Sequence, residues 1–132
     1  MKPNLFWANL YSADLKRTTR FYEAIGFTNN NESGTEGIAS FSIGNKGFII
    51  NFFGRDRFGE NIKAPIADTQ AANEILFSIS AGSREEIDQW PSKITSAGGT
   101  VFIQPEEYMG GYNFGFADPD GHKFNVFYSP DM

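Results

Sequence analysis

Residues 116–127 read Phe-Ala-Asp-Pro-Asp-Gly-His-Lys-Phe-Asn-Val-Phe, and a segment built this way has few ways to fold. Pro119 fixes φ at the first corner of a turn, Asp118 can bond its own backbone two residues on, and Gly121 accepts a positive φ. Aromatic and β-branched residues alternate on both sides, the pattern of two strands closing a hairpin. With residues 118–121 as the loop, Ala117 faces His122 and Phe114 faces Asn125. Directly opposed side chains share a sheet face. Lys123, Asn125 and Phe127 therefore point one way, and Phe124, Val126 and Tyr128 the other. The more apolar set calls for a covering layer, while the set with Asn125 faces a space that tolerates polarity.

The rest of the chain supplies that layer twice. Residues 4–12 read as a strand, with Trp7, Asn9 and Tyr11 on one face and Phe6, Ala8 and Leu10 on the other. Asp14 caps a helix whose stripe is Leu15, Thr18, Tyr22 and Ile25, with Gly26 as the residue that ends it. Residues 26–33 are polar and turn-rich, with a short strand possible around Phe27. Residues 38–43 and 47–53 pair across an Asn45-Lys46-Gly47 turn. From 54 to 73 the pattern lapses, and the segment reads as a solvated connection in which Arg55 and Arg57 stand near an anionic ligand's reach. The order then recurs. Residues 74–81 form a strand with Ile75, Phe77 and Ile79 on one face. Ser83-Arg-Glu-Glu86 is a capping box for a helix buried through Ile87, Trp90 and Ile94, interrupted by Pro91. Residues 100–104 are a strand, and 105–111 a loop that is either an exposed acidic turn carrying Glu106 and Glu107 or a lid freed by its glycines. The result is one domain of two βαβββ-like modules, about 1–55 and 74–132, joined by 56–73.

Composition narrows the function. The chain has 132 residues, 40% hydrophobic and 16% aromatic, with 14 Phe, enough for a wide apolar core and against disorder. A net charge of −5 repels phosphate backbones, so nucleic acid is not an expected partner. No apolar run approaches the roughly 18 residues of a membrane span. Cysteine is absent, which removes disulfides, thiolate nucleophiles and Cys-ligated zinc. With no signal-peptide pattern at the start, a cytoplasmic protein is expected.

The run Asn9-Leu-Tyr-Ser-Ala-Asp14-Leu-Lys-Arg-Thr-Thr-Arg-Phe21-Tyr22-Glu-Ala-Ile-Gly26-Phe27, together with Ala97-Gly-Gly99 and Phe116-Ala-Asp118-Pro-Asp-Gly-His122, resembles the vicinal oxygen chelate superfamily of glyoxalases, bleomycin-resistance proteins and dioxygenases. The likeness is nearest to bacterial proteins labelled predicted lactoylglutathione lyases and spans essentially the whole chain. It implies an α+β fold in which two modules form a cup-shaped, largely antiparallel eight-stranded sheet, and it implies a homodimer. Metal-dependent relatives use one side chain from the first and last strand of each module to hold a divalent ion. Carried over, those positions are Trp7, Asn51, Ile75 and Asn125. A one-residue slip offers Phe6 or Ala8, Ile50 or Phe52, Glu74 or Leu76, and Phe124 or Val126, of which only Glu74 is a good ligand. No metal site and no cofactor are therefore expected.

What remains is a possible ligand-binding set: Trp7, Asn9, Tyr11, Asn51, Phe53, Ile75, Phe77, Phe114 and Asn125. The carboxamides either orient a polar ligand or bond one another, and the aromatic rings either stack on a planar ligand or serve as core. His122, the sole histidine, is either an acid–base group or a support for its turn. Three readings follow. The first is a metal-free binding module for a small organic molecule, sequestering or carrying it. The second is a divalent-metal-dependent lyase or isomerase. The third is a metal-free enzyme that uses His122 or Glu74.

Overall fold

The computed structural model describes residues 1–31 and 37–132, in two units, Met1–Ala67 and Asp68–Met132. The residues of the polar stretch beyond Asn31 lie outside those described. Unit 1 runs β1 (Trp7–Tyr11), α1 (Leu15–Ala24), β2 (Thr28–Asn29), β3 (Ile38–Ile43), β4 (Phe48–Phe53) and α2 (Arg55–Ile62). Unit 2 runs β5 (Leu76–Ser80), α3 (Arg84–Ser96), β6 (Thr100–Tyr108), β7 (Gly111–Ala117) and β8 (Lys123–Tyr128). The two sheets have matching orders, β1-β4-β3-β2 and β5-β8-β7-β6. In each, the first and last strands pair in parallel and the other pairs are antiparallel. This is the βαβββ module, present twice. Among the described residues no helix is long and apolar enough to cross a membrane.

In unit 1 the sequence sets the helix ends. The Asp14 carboxylate accepts the Arg17 amide at 3.1 Å, satisfying one of the free donors of the first turn. At the other end Gly26 adopts φ +96° and the Phe27 amide reaches back to the Tyr22 carbonyl at 3.0 Å, a Schellman closure. One stripe of α1 then faces the sheet. Phe21 and Tyr22 are fully buried, and the Tyr22 ring lies 4.8 Å from Phe52 and 5.4 Å from Phe41. Unit 2 repeats the arrangement with α3, capped by Ser83. Glu86 accepts the amide of Gly82, one residue earlier than in the standard capping box. Ile87 and Ile94 are buried from α3. On the sheet Phe116 and Phe124 stack at 5.0 Å, and Trp90 covers Phe116 at 5.9 Å.

Three expectations are corrected. Residues 54–73 are not a bare connection. α2 occupies 55–62, and its Phe58 ring packs 6.4 Å from Tyr11. Only Phe58 and Ile62 give it an apolar stripe, so tertiary packing and not intrinsic propensity sustains it. Beyond it, Thr69, Gln70 and Asn73 donate to the carbonyls of Asp120, Pro119 and Gly121, strapping the β7–β8 turn. Second, residues 105–111 are not a loop. β6 continues to Tyr108, opposite Gly111, and Met109 (φ 46°) with Gly110 (φ 76°) form the two-residue turn between the strands, the geometry of a type I′ hairpin. Pro105, which cannot donate to a ladder, sits where the pairing register shifts.

Third, the final hairpin closes one residue later than the turn chemistry suggests. The Asp118 amide donates to the His122 carbonyl at 2.9 Å, and the Gly121 amide to the Asp118 carbonyl at 2.9 Å. The Asp118 carboxylate also accepts the amides of Asp120 and His122, both at 2.9 Å. Gly121 takes φ +92°. The loop is therefore the three residues Pro119, Asp120 and Gly121, a tight turn followed by a left-handed residue. Ala117 consequently pairs with Lys123, Gly115 with Asn125, and Phe114 with Val126. A slip of one residue moves a side chain to the other face.

Candidate functional site

Each sheet has one face covered by its long helix and one open face. In unit 1 the parallel register places Trp7 beside Ile49, Asn9 beside Asn51 and Tyr11 beside Phe53, and Ser40 of β3 lies on the other side of Asn51. Ile50 and Phe52 take the alternate positions and are buried toward α1. The open face therefore carries Trp7, half-exposed at 50%, and an Asn51 Nδ2 that donates to Asn9 Oδ1 at 3.1 Å. A second polar group continues it, with Asn30 donating to Ser40 Oγ and accepting from Ser42 Oγ at 2.9 Å.

α2 walls the end of this face. Arg55 Nη2 donates to the Tyr11 hydroxyl at 2.7 Å, and its guanidinium carbon lies 4.8 Å from the Tyr11 ring centre. Arg57 stands 5.9 Å from the ring centre of Phe53. Tyr11 is thus on the expected face but buried, at 8% exposure, beneath Arg55 and Phe58.

In unit 2 the open face carries Leu76, Ser78 and Ser80 of β5, Lys123, Asn125 and Phe127 of β8, and Asn113 and Gly115 of β7. Asn113 Nδ2 donates to Asn125 Oδ1 at 2.9 Å. Asn113 is 3% exposed, and its own Oδ1 has no hydrogen-bond partner among the described residues. Exchanging the amide atoms of both side chains would leave an orphan donor instead. Glycines two residues to either side make room for rings. A Cβ on Gly115 would lie 2.7 Å from the Phe102 ring, and one on Gly111 2.5 Å from the Phe127 ring. Lys123 Nζ is 4.7 Å from the centre of Phe102.

Of the residues expected to line a ligand face, Trp7, Asn9, Asn51 and Phe53 lie together on the open face of unit 1, and Asn125 lies on that of unit 2. Phe114 and Phe77 do not join Asn125. Phe114 is fully buried with its ring 6.0 Å from Trp90 of α3, and Phe77 pairs with Phe124 at 5.3 Å. For Phe114 the cause is the one-residue shift in the hairpin register. For Phe77 it is the β5 register, which sets Phe77 and Ile79 beside Phe124 and Val126. Ile75 precedes β5 and is exposed. The polar members Ser40, Asn30 and Asn113 were not anticipated. The register that reveals them depends on turn geometry, although the small Gly111 and Gly115 flanking Asn113 are a visible signal.

At the hairpin mouth Asp118, Asp120 and His122 are all buried, and each offers a possible metal-ligating atom, all within 4.8 Å of one another. Asp118 already accepts two backbone amides, so its carboxylate serves the turn. On the outside of unit 2, Arg84 makes a two-pronged contact with Glu107, which holds the Glu107 carboxyl below its ordinary value and raises Arg84. The Tyr112 hydroxyl donates to Asp88 at 2.7 Å, and that bond raises its pKa.

Comparison with known proteins agrees with this architecture. The family model described as Glyoxalase/Bleomycin resistance protein/Dioxygenase superfamily matches residues 4–126. A hypothetical protein from S. aureus superposes with a TM-score of 0.86 at 28% identity, over 96% of this chain and 94% of that one. A glyoxalase-related enzyme from Fulvimarina pelagi gives 0.83 at 18% identity, over 97% and 90%. A bleomycin-binding protein complexed with bleomycin gives 0.62 at 19% identity, over 96% and 99%. No curated protein matches the chain in sequence.

Proposed function

The chain belongs to the Glyoxalase/Bleomycin resistance protein/Dioxygenase superfamily, and we propose that within it this protein binds a small, partly aromatic organic molecule and sequesters or carries it. The observation that carries this reading is the open face of unit 1, where a half-exposed Trp7 stands beside the Asn9–Asn51 carboxamide pair with no helix over it. Aromatic surface with a few placed polar groups is the usual lining of a small-molecule site. The bleomycin-binding protein of like fold supports a binding role. The open face of unit 2, with Asn125 and Phe127, is a candidate ligand surface in its own right, and a cytoplasmic setting and a homodimer belong to the proposal as well.

The superfamily's metal-dependent chemistry needs anionic or imidazole donors. The resemblance puts its ligands at Trp7, Asn51, Ile75 and Asn125, and the β5 register turns Leu76 instead of Ile75 to the open face. Indole, alkyl and neutral carboxamide groups do not fit a divalent cation. A divalent-metal-dependent lyase or isomerase stands as a second reading because Asp118, Asp120 and His122 converge within 4.8 Å.

Ligand addition should change tryptophan fluorescence, and Trp7→Phe should remove the change while Trp90 reports background. Nickel, zinc or manganese should leave the melting temperature unmoved, since a ligand that binds only the folded form raises it. A metal-induced rise that is lost in His122→Gln would favour the second reading.

A further inference from the structure

Arg55 is held in place on the open face of unit 1 without its charge being neutralised. Its guanidinium lies against the Tyr11 ring and gives one N–H to the Tyr11 hydroxyl, and among the described residues it meets no carboxylate. Four of its five donors remain available. Tyr11 is itself buried and fixed in β1, so the planar fork has a defined orientation and not the freedom of a surface arginine. Arg57, two residues further along α2, lies over Phe53, the register neighbour of Tyr11.

Helix stability does not explain this placement. Arg55 and Arg57 occupy the first turn of α2, where the helix end is already positive and cations are unfavourable. Asp56 and Glu60 balance the two arginines along α2 as a whole, so the cation that matters is the single guanidinium of Arg55 that Tyr11 orients. Along β1, Arg55 stands at the Tyr11 end of the row that continues through Asn9 to Trp7. A molecule lying on Trp7 and the carboxamides would extend its far end toward this cation.

We propose that the ligand of this face carries an oxyanion group, a carboxylate or a phosphoryl group, received by Arg55, while its ring lies against Trp7. The inference rests on the binding role proposed above and names the ligand's chemistry. Tyr11 acts as a positioning residue, because it orients the guanidinium that meets the anion. Charge-assisted contacts from an oriented fork are stronger than neutral ones and match planar oxyanions.

The probes are 6-phenylhexanoate and its neutral isostere 6-phenylhexanamide, long enough to reach along the roughly 13 Å of strand from Trp7 toward Tyr11, titrated into the full chain and followed by Trp7 fluorescence and by ligand-detected NMR. The carboxylate probe should bind about tenfold more tightly than the amide, a gap of about 1.4 kcal/mol. Raising the salt concentration should narrow it. Arg55→Gln should close the gap with the affinity of the amide unchanged. Arg55→Lys should restore part of it, since an ammonium lacks the fork, and Tyr11→Phe should weaken the carboxylate probe selectively. Displacement of the carboxylate probe by inorganic phosphate assigns the site to phosphoryl groups as well, and failure to displace it restricts the site to carboxylates. Equal affinity for the two probes, or a gap that persists in Arg55→Gln, overturns the oxyanion assignment and leaves the binding role intact. If neither probe binds, the binding role itself fails.

Discussion

Asn113 shows how much depends on one side chain in this fold. Its amide supports Asn125, yet its carbonyl oxygen is buried without a partner among the described residues, a cost of about 1–3 kcal/mol for such a group. Asn125→Leu would take away the remaining partner and should destabilise unit 2 by about 1–3 kcal/mol. The double variant Asn113→Val with Asn125→Leu should recover most of that loss, because apolar groups need no partners. Denaturant midpoints for the two single variants and the double variant complete the cycle. Gly121 is a second sensitive residue. It holds φ +92°, and a Cβ there would collide with the Thr69 carbonyl, so Gly121→Ala should cost about 1–3 kcal/mol. The residues that carry the site were legible only in part. Trp7, Asn9 and Asn51 could be placed because an alternating strand fixes its faces once one face is apolar. Phe114 could not, because its facing follows from a single residue of loop length, and the two extra carboxylate bonds of Asp118 that set that length are contacts no periodicity records.

Among the elements, those with strong local signals emerged from sequence. The capped helices α1 and α3 and the strands that pair under them needed only caps, glycines and periodicity. α2 was hidden, since its Gly54 cap offers no side chain and Gly59 lies inside it. The end of β6 was hidden as well, because Pro105 and the glycines near it speak for a loop, while Met109 and Gly110 in fact make the tight hairpin that lets pairing continue. That hairpin is tied to α3 by Arg84 and Glu107 and by Asp88 and Tyr112. Because the folded Glu107 pKa is depressed, its contribution is present at pH values above the ordinary carboxylate range and is lost as the pH falls through the lowered value. The raised Tyr112 pKa works in the opposite sense, with its contribution lost as the pH rises beyond the phenol range. The melting temperature of Glu107→Gln should therefore lie below that of the parent at neutral pH, with the difference vanishing in acid. The effect should be small, because the pair is solvent-exposed.

For the molecule as a whole, each unit's sheet ends in two edge strands, and exposed apolar residues gather at one of them. Leu5, Phe6 and Trp7 are each at least half exposed at the start of β1, and exposed edges favour association. Phe6→Lys should shift the protein toward monomer in light scattering after size-exclusion chromatography, and an unchanged mass would remove these residues from the self-association surface. The repeated order of elements was visible from the sequence, because each βαβββ unit announces its own caps and turns. The strap was not, since Thr69, Gln70 and Asn73 sit in a stretch without periodicity and act through the carbonyls of Pro119, Asp120 and Gly121. Anyone excising the C-terminal half should cut ahead of Asp68 and not at Glu74. The shorter fragment would keep every strand and α3 but lose the clasp that holds its final hairpin shut, and would be the more readily cleaved by proteases at that turn.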